Sequence, residues 1–335
     1  MTRIIIDPET CRAYKAESCP PEVLARHEAR EAQRVLLAQV KFTETTGVTI
    51  ICKNCGSDDV TRYGFKEGVQ QYWCNKCKRK FVANNALPKM RYPPEQIAAA
   101  VNMFYEGLSL SGIRRQLDHD HNVLPSDATV YDWIVCFTKK GAQVLDGLKV
   151  DAGRTWVVDE TVLQLDGENA WFWDIIVDET RFLIASHLTF TRTTRDAMAV
   201  LLRGKRASEH PPRDIISDGL RSYPDAVEQV FGADSRHLIS KGFRNSLNTN
   251  LIERFHGTLK QRVKVMRGMQ NRETARLVMD GWLLHYNFFR PHESLGGRTP
   301  AQAANVEFPW RTWRDVVIEG YIPTEKRETY QSPNP

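Results

Sequence analysis

Four of the seven cysteines constrain this chain more than any other residues. Cys52-Lys-Asn-Cys55 and Cys74-Asn-Lys-Cys77 are C-x2-C pairs with 18 residues between them. That is the spacing at which two knuckles offer four thiolates to one structural Zn2+. Each pair is followed by a small or basic turn residue, Gly56 or Lys78. Residues 60–65 and 70–73 have strand-like composition around Glu67-Gly68, which predicts a small ribbon hairpin. A segment of about 35 residues cannot bury a core alone, and zinc would supply the missing folding energy. A disulfide pair is the alternative, disfavoured in a reducing interior. Cys11, Cys19 and Cys136 show no ligand spacing.

The chain has 335 residues, too many for one core, so two or three domains are expected. Its net charge is only +5, but residues 51–92 hold nine Lys/Arg against three acids. Such a local excess suits a polyanion, with a solvated basic loop as the plainer reading. No apolar run reaches the ~18 residues of a membrane span. The start, MTRIIIDPET, is too short and acidic for a signal peptide, so a cytoplasmic, nucleoid-associated protein is expected. Residues 21–42 read as one helix of mixed charge, a packing or interaction arm.

After the ribbon a trihelical pattern is predicted. Pro93-Pro94-Glu95 opens a helix through about Tyr105, stopped by Gly107; Ser109 starts a second, 118–124 is a loop, and Ser126 caps a third. Two short helices, a turn and a third helix resemble a helix-turn-helix DNA-binding unit. Thr129, Tyr131 and Asp132 fall near the start of the recognition helix, with Trp133 and Ile134 buried and Lys139 and Lys140 as phosphate contacts. Three-helix units also form for other reasons; the neighbouring ribbon favours DNA.

From Arg154 the periodicity changes to strands. Three in succession predict a meander, with a turn at Glu168-Asn169. A helix over 194–207, a short strand, a helix around 223–231, a strand around 236–239, an Asn- and Ser-rich loop and a helix from Asn250 follow. The order is βββαβαβα, one mixed sheet with flanking helices. In the last helix Ile252, Phe255, Leu259, Val263 and Met266 form a buried stripe. Beside it run Glu253, Gly257, Lys260, Lys264 and Arg267, one acid in line with a cationic ridge. Asp159 sits inside the first strand among apolar residues, and Asp218 ends the next short strand. Carboxylates in such places are costly unless paired or bound to a cation. Three of them, with no arranged His or Cys, favour hard Mg2+ or Mn2+. Two such ions would clamp an in-line phosphoryl displacement.

Asp159, Asp218 and Glu253, with 34 residues between the last two, resemble the DDE triad of insertion-sequence transposases and retroviral-type integrases. SDGLRSYPDA (217–226) and NLIERFHGTLKQR (250–262) are similar to the segments around that family's second and third acids. HYNFFRPHESLGGRTPAQAA (285–304) is similar to its closing motif. The resemblance implies a ribonuclease H-like core and a multidomain α/β chain. Its expected layout is a helical arm over 1–45, a zinc ribbon over 46–86, a helix-turn-helix domain over 90–148, the catalytic domain over 150–304 and a tail over 305–335. It also implies a DNA transposase in which Asp159, Asp218 and Glu253 hold two Mg2+ or Mn2+ ions. Water cuts the strand at the element's end, and the freed 3′-hydroxyl attacks target DNA. His256, Lys260, Lys264 and Arg267 would then lie along the DNA, and two ends joined together imply at least a homodimer. Glu160, Asp166, Asp174 and Asp178 lie close in sequence without the matched position, and Arg290, His292 and Glu293 are expected to position helices and backbone. A nuclease that cuts without joining, and a regulator that has lost catalysis, are the alternative functions.

Overall fold

The computed structural model describes residues 4–6, 13–15, 19–25, 28, 50–66, 68–84, 86–88, 90–145, 148–240, 249–266 and 271–319. Most of the expected arm helix, the loop at 241–248, Arg267 and the tail beyond 319 lie outside them. The chain divides into two compact units. One holds residues 1–96, 115–125 and 322–335; the other holds 97–114 and 126–321.

In the first unit, β1 (Ile4–Ile6) pairs antiparallel with β2 (Ala13–Lys15). The ribbon is a three-stranded antiparallel sheet of β3 (Val60–Lys66), β4 (Val69–Cys74) and β5 (Arg79–Phe81). The third strand goes beyond the expected hairpin. Lys78 takes φ +54 and turns the chain back, so that Arg79 pairs with Cys74. Tyr72 and Phe81 pack with Cys52 and Cys74 into a small core.

Three helices follow: α1 (Pro94–Tyr105), α2 (Leu110–His121) and α3 (Asp127–Leu145). The expected loop at 118–124 is shorter, because α2 runs on to His121. Asn122 ends it at φ +52 and donates its N–H to the Asp118 carbonyl, the left-handed stop that Asn tolerates better than most residues. The Ser126 hydroxyl accepts the Thr129 N–H at 3.1 Å, as its capping place requires.

The second unit is built on a five-stranded sheet. In chain order its strands are β6 (Thr155–Leu165), β7 (Glu168–Val177), β8 (Leu183–Thr189), β9 (Asp214–Ser217) and β10 (Arg236–Ile239). Across the sheet they stand in the order β10-β9-β6-β7-β8. The first three form the antiparallel meander, and β9 and β10 run parallel to β6. With the helices α4 (Thr194–Ala207), α5 (Ser222–Phe231) and α6 (Asn250–Val265), the order is the βββαβαβα read from the periodicity. The meander turn corrects the expectation: it lies at Asp166-Gly167, not Glu168-Asn169. Both residues have positive φ, +52 and +78, as the two-residue hairpin turn matching strand twist demands.

Strand neighbours point to opposite faces. Trp156 and Trp173 face α4 and α5, where they meet Phe231 and Tyr223 edge-on, each at 5.8 Å. The opposite face, carrying Asp159 and Asp174, is covered by α6. Further along, α7 (Arg272–Leu284) packs against α1 and α3. Tyr105 donates or accepts a 2.7 Å hydrogen bond with Thr138, and a Cβ added at Gly281 would run into both. Trp313, on the helix α9 (Trp313–Glu319) that follows the short α8 (Pro300–Ala303), stacks on Tyr105 at 5.1 Å. Among the described residues no helix is long and apolar enough to cross a membrane.

Candidate active site

Two parallel strands bring the first two acids together. The ladder between β6 and β9 ends at Val157 and Ile216, and both chains continue past it. Asp159 stands two residues on in β6, and Asp218 follows the last residue of β9. Their carboxylates, with that of Glu160, lie within 4.8 Å of one another. This is the carboxyl end of the parallel pair, where open α/β sheets place their ligands.

The three acids have different surroundings. Glu160 is buried, one oxygen held by Arg192 and the other accepting the Tyr223 hydroxyl at 2.6 Å. Burial pushes its carboxyl up, against those two partners. With both oxygens engaged it is a poor ligand, in keeping with its sequence position beside the matched acid. Asp159 and Asp218 are only partly buried, and Asp218 Oδ1 accepts the Leu220 N–H at 2.9 Å. An oxygen-only donor set at this spacing fits Mg2+ or Mn2+ and not a soft metal.

Glu253 is not part of that cluster. It is exposed in the first turn of α6, its Oε1 accepting the Thr249 hydroxyl at 3.0 Å. The helix itself is anchored as its periodicity predicts, by buried Ile252, Phe255, Leu259 and Val263. Lys260 and Lys264 are exposed along the side that Glu253 begins.

His256 departs from its expected place on the DNA side. It is 4% exposed, with Nε2 3.0 Å from Asp174 Oδ2 and Nδ1 3.5 Å from Asp159 Oδ2. Burial opposes the imidazolium, but the Asp159 and Asp174 carboxylates outweigh it and raise the His256 pKa to about 9. Asp174 is fully buried, and its Oδ1 accepts the Ser186 hydroxyl. A signal for this pair was present: with the hairpin turn at Asp166-Gly167, register alone sets Asp174 opposite Asp159. Arg262 is a second buried basic residue on α6, its guanidinium 3.8 Å over the Phe104 ring.

Elsewhere the Tyr131 hydroxyl lies 3.1 Å from that of Thr274 on α7, and the Thr129 hydroxyl 2.8 Å from that of Ser126. Both are engaged within the protein. Lys139 is exposed, and Lys140 lies 5.6 Å over the Phe137 ring. In the closing segment Asn287 bonds both backbone groups of Leu183, each at 2.8 Å, and so ties down the start of β8. Thr299 caps α8 with a reciprocal box to Gln302.

In the ribbon the four sulfurs of Cys52, Cys55, Cys74 and Cys77 all lie within 4.8 Å of one another. Cys52–Cys77 and Cys55–Cys74 are separated by 3.7 and 3.5 Å. A disulfide would need about 2.05 Å, whereas Zn–S bonds of ~2.3 Å in a tetrahedron put sulfurs ~3.8 Å apart. The donor set fits zinc.

Residues 153–292 match the family model described as a DDE domain. Among solved structures, a chain of the simian T-cell lymphotropic virus intasome in complex with PP2A regulatory subunit B56 gamma is 15% identical. The match covers 50% of this chain and 58% of that one, with a TM-score of 0.35. The HTLV-2 integrase catalytic core domain in complex with magnesium, dimeric form, is 13% identical over 47% of this chain and 99% of that one, with a TM-score of 0.34. The BIV integrase catalytic core is 17% identical over 45% and 93%, with a TM-score of 0.33. No curated protein matches the chain.

Proposed function

From the match of residues 153–292 to a DDE domain, we propose that the chain is a DNA transposase. It cuts the strand at the ends of a mobile element and joins the freed 3′-hydroxyl to target DNA. The observation that carries the proposal is the meeting of Asp159 and Asp218 at the end of two adjacent parallel strands. Asp159 and Asp218 would hold Mg2+ or Mn2+, and Glu253, on the helix tied to Asp159 through His256, would complete the set. When bound, such ions stabilise the charge of the attacking and leaving oxygens in an in-line displacement.

The protein's own groups do the rest. The apolar stripe of α6 fixes the helix and leaves Glu253 exposed in its first turn, and exposed Lys260 and Lys264 continue from it as a track for phosphates. The ribbon with its zinc, and Lys139 and Lys140 on α3, are further places for DNA. Joining two ends requires at least two catalytic chains, so a homodimer or larger assembly is the working form.

A strand-joining assay with a pre-cut 3′-hydroxyl end and Mg2+ or Mn2+ tests this. Joined product is expected. Cleavage of an uncut end without joining would instead indicate a nuclease.

A further inference from the structure

Polar side chains form a line across the sheet beneath the proposed metal site. In register order they are Ser186 on β8, Asp174 on β7 and Asp159 on β6. His256 of α6 closes the line. The Ser186 hydroxyl donates to Asp174 Oδ1 at 2.5 Å, and the two nitrogens of His256 lie 3.0 Å from Asp174 and 3.5 Å from Asp159. We propose that His256, backed by Asp174, is a positioning residue: it orients the Asp159 carboxylate and sets the distance between Asp159 and the helix that carries Glu253. The inference rests on the reading of Asp159 as a metal ligand.

Three observations support it. The neighbours of His256 on the buried side of α6 are Ile252, Phe255 and Leu259, so packing alone asks for an apolar residue there. A buried imidazole and a fully buried carboxylate are costly unless each is partnered. Among the described residues, the hydrogen bonds and ion pairs of both side chains fall within the line. His256 also stands one helical turn from Glu253, so the two side chains lie next to each other where the buried side of α6 meets the exposed one. A tie from that turn to β6 therefore sets where Glu253 can reach. The arrangement is that of an outer group bonded to a ligand, which fixes ligand orientation in metal sites generally.

The test uses the full chain without DNA and Mn2+ as the probe, with affinity measured by calorimetry or paramagnetic resonance. His256→Ala is expected to weaken Mn2+ binding roughly ten- to hundredfold, the usual cost of losing such a partner. His256→Asn should recover part of the loss, because its amide reaches the position of Nδ1 and hence Asp159. Ser186→Ala and Asp174→Asn should weaken binding by smaller factors, and they carry the test if His256→Ala does not fold. Wild-type Mn2+ affinity in folded His256→Ala, or in both of those variants, overturns the proposal even if thermal stability falls. Asp159→Asn separates the two ideas. If it leaves Mn2+ binding intact, the ligand reading itself fails; if it abolishes binding that His256→Ala retains, only the positioning role fails.

Discussion

Asp159 and Glu160 are adjacent carboxylates with different fates, because a strand sends successive side chains to opposite faces. Glu160 goes to the face of Tyr223 and is neutralised by Arg192. Asp159 goes to the face of α6 and remains partly exposed beside Asp218. Asp159→Asn, Asp218→Asn and Glu253→Gln are each expected to reduce strand joining by about 1000-fold, roughly 4 kcal/mol of barrier, with DNA binding nearly unchanged. Joining retained in any of the three removes that residue from the site. Glu160→Gln is expected to behave otherwise. It strands Arg192 and lowers unfolding stability by roughly 1–3 kcal/mol, with Mn2+ affinity kept. A denaturant titration beside a Mn2+ titration reads both effects.

At the scale of elements, the proposed link between Glu253 and a DNA track depends on α6, whose buried and exposed stripes both hold in the described helix. Lys260→Ala with Lys264→Ala should weaken DNA association and flatten its salt dependence, by about one unit of slope for each phosphate no longer neutralised. An unchanged slope in a salt series would remove the ridge from the DNA path. The helix α7 depends on close approach. A methyl at Gly281 would strike Tyr105 and Thr138, and Gly281→Ala is expected to cost about 1–3 kcal/mol by overpacking. Thermal unfolding of the variant measures that cost. Asn287 shows how a side chain can pair a strand's backbone: its amide satisfies both groups of Leu183, and among the described strands β8 pairs with β7 alone.

At the scale of the whole molecule, two kinds of stability are at work. The ribbon has a core of four main residues, two of them cysteines. Metal analysis is expected to find about one zinc per chain, lost in Cys52→Ser or Cys74→Ser together with DNA recognition. Zinc-free wild type would end that reading. The second unit has its own sheet core and a response to acid. Burial and neighbouring arginines hold His187 and His292 down at about 4, against about 6.5 in an unfolded chain. Between those values these two groups bind more protons in the unfolded chain, so their contribution to folding stability falls as pH drops from about 6.5 toward 4. The thermal midpoint should be lower at pH 5 than at pH 7, and His292→Gln should narrow the gap. Equal midpoints at the two pH values would contradict this.

Much of the architecture was legible because it follows from local rules. The cysteine spacing, the strand and helix periods, the cap at Ser126 and the buried stripe of α6 all express short-range geometry, and each appears in the structure. The βββαβαβα order came from the same source, whereas the pairing of Asp159 with Asp218 was implied only by the resemblance to the DDE triad and joins residues far apart in the chain. The structure differs from the sequence reading where a local choice has consequences across the sheet. Placing the hairpin turn at Glu168-Asn169 set Asp159 opposite Asp178, whereas the turn at Asp166-Gly167 sets it opposite Asp174. The burial of His256, the pairing of Glu160 with Arg192 and the engagement of Tyr131 at Thr274 have no local signature. Each joins residues far apart in the chain, so each was decided only when strands took their register and helices took their faces. The sequence by itself determined which elements form and which acids stand at their ends; tertiary packing decided that Glu160 is buried between Arg192 and Tyr223 while Asp159 and Asp218 stay partly exposed.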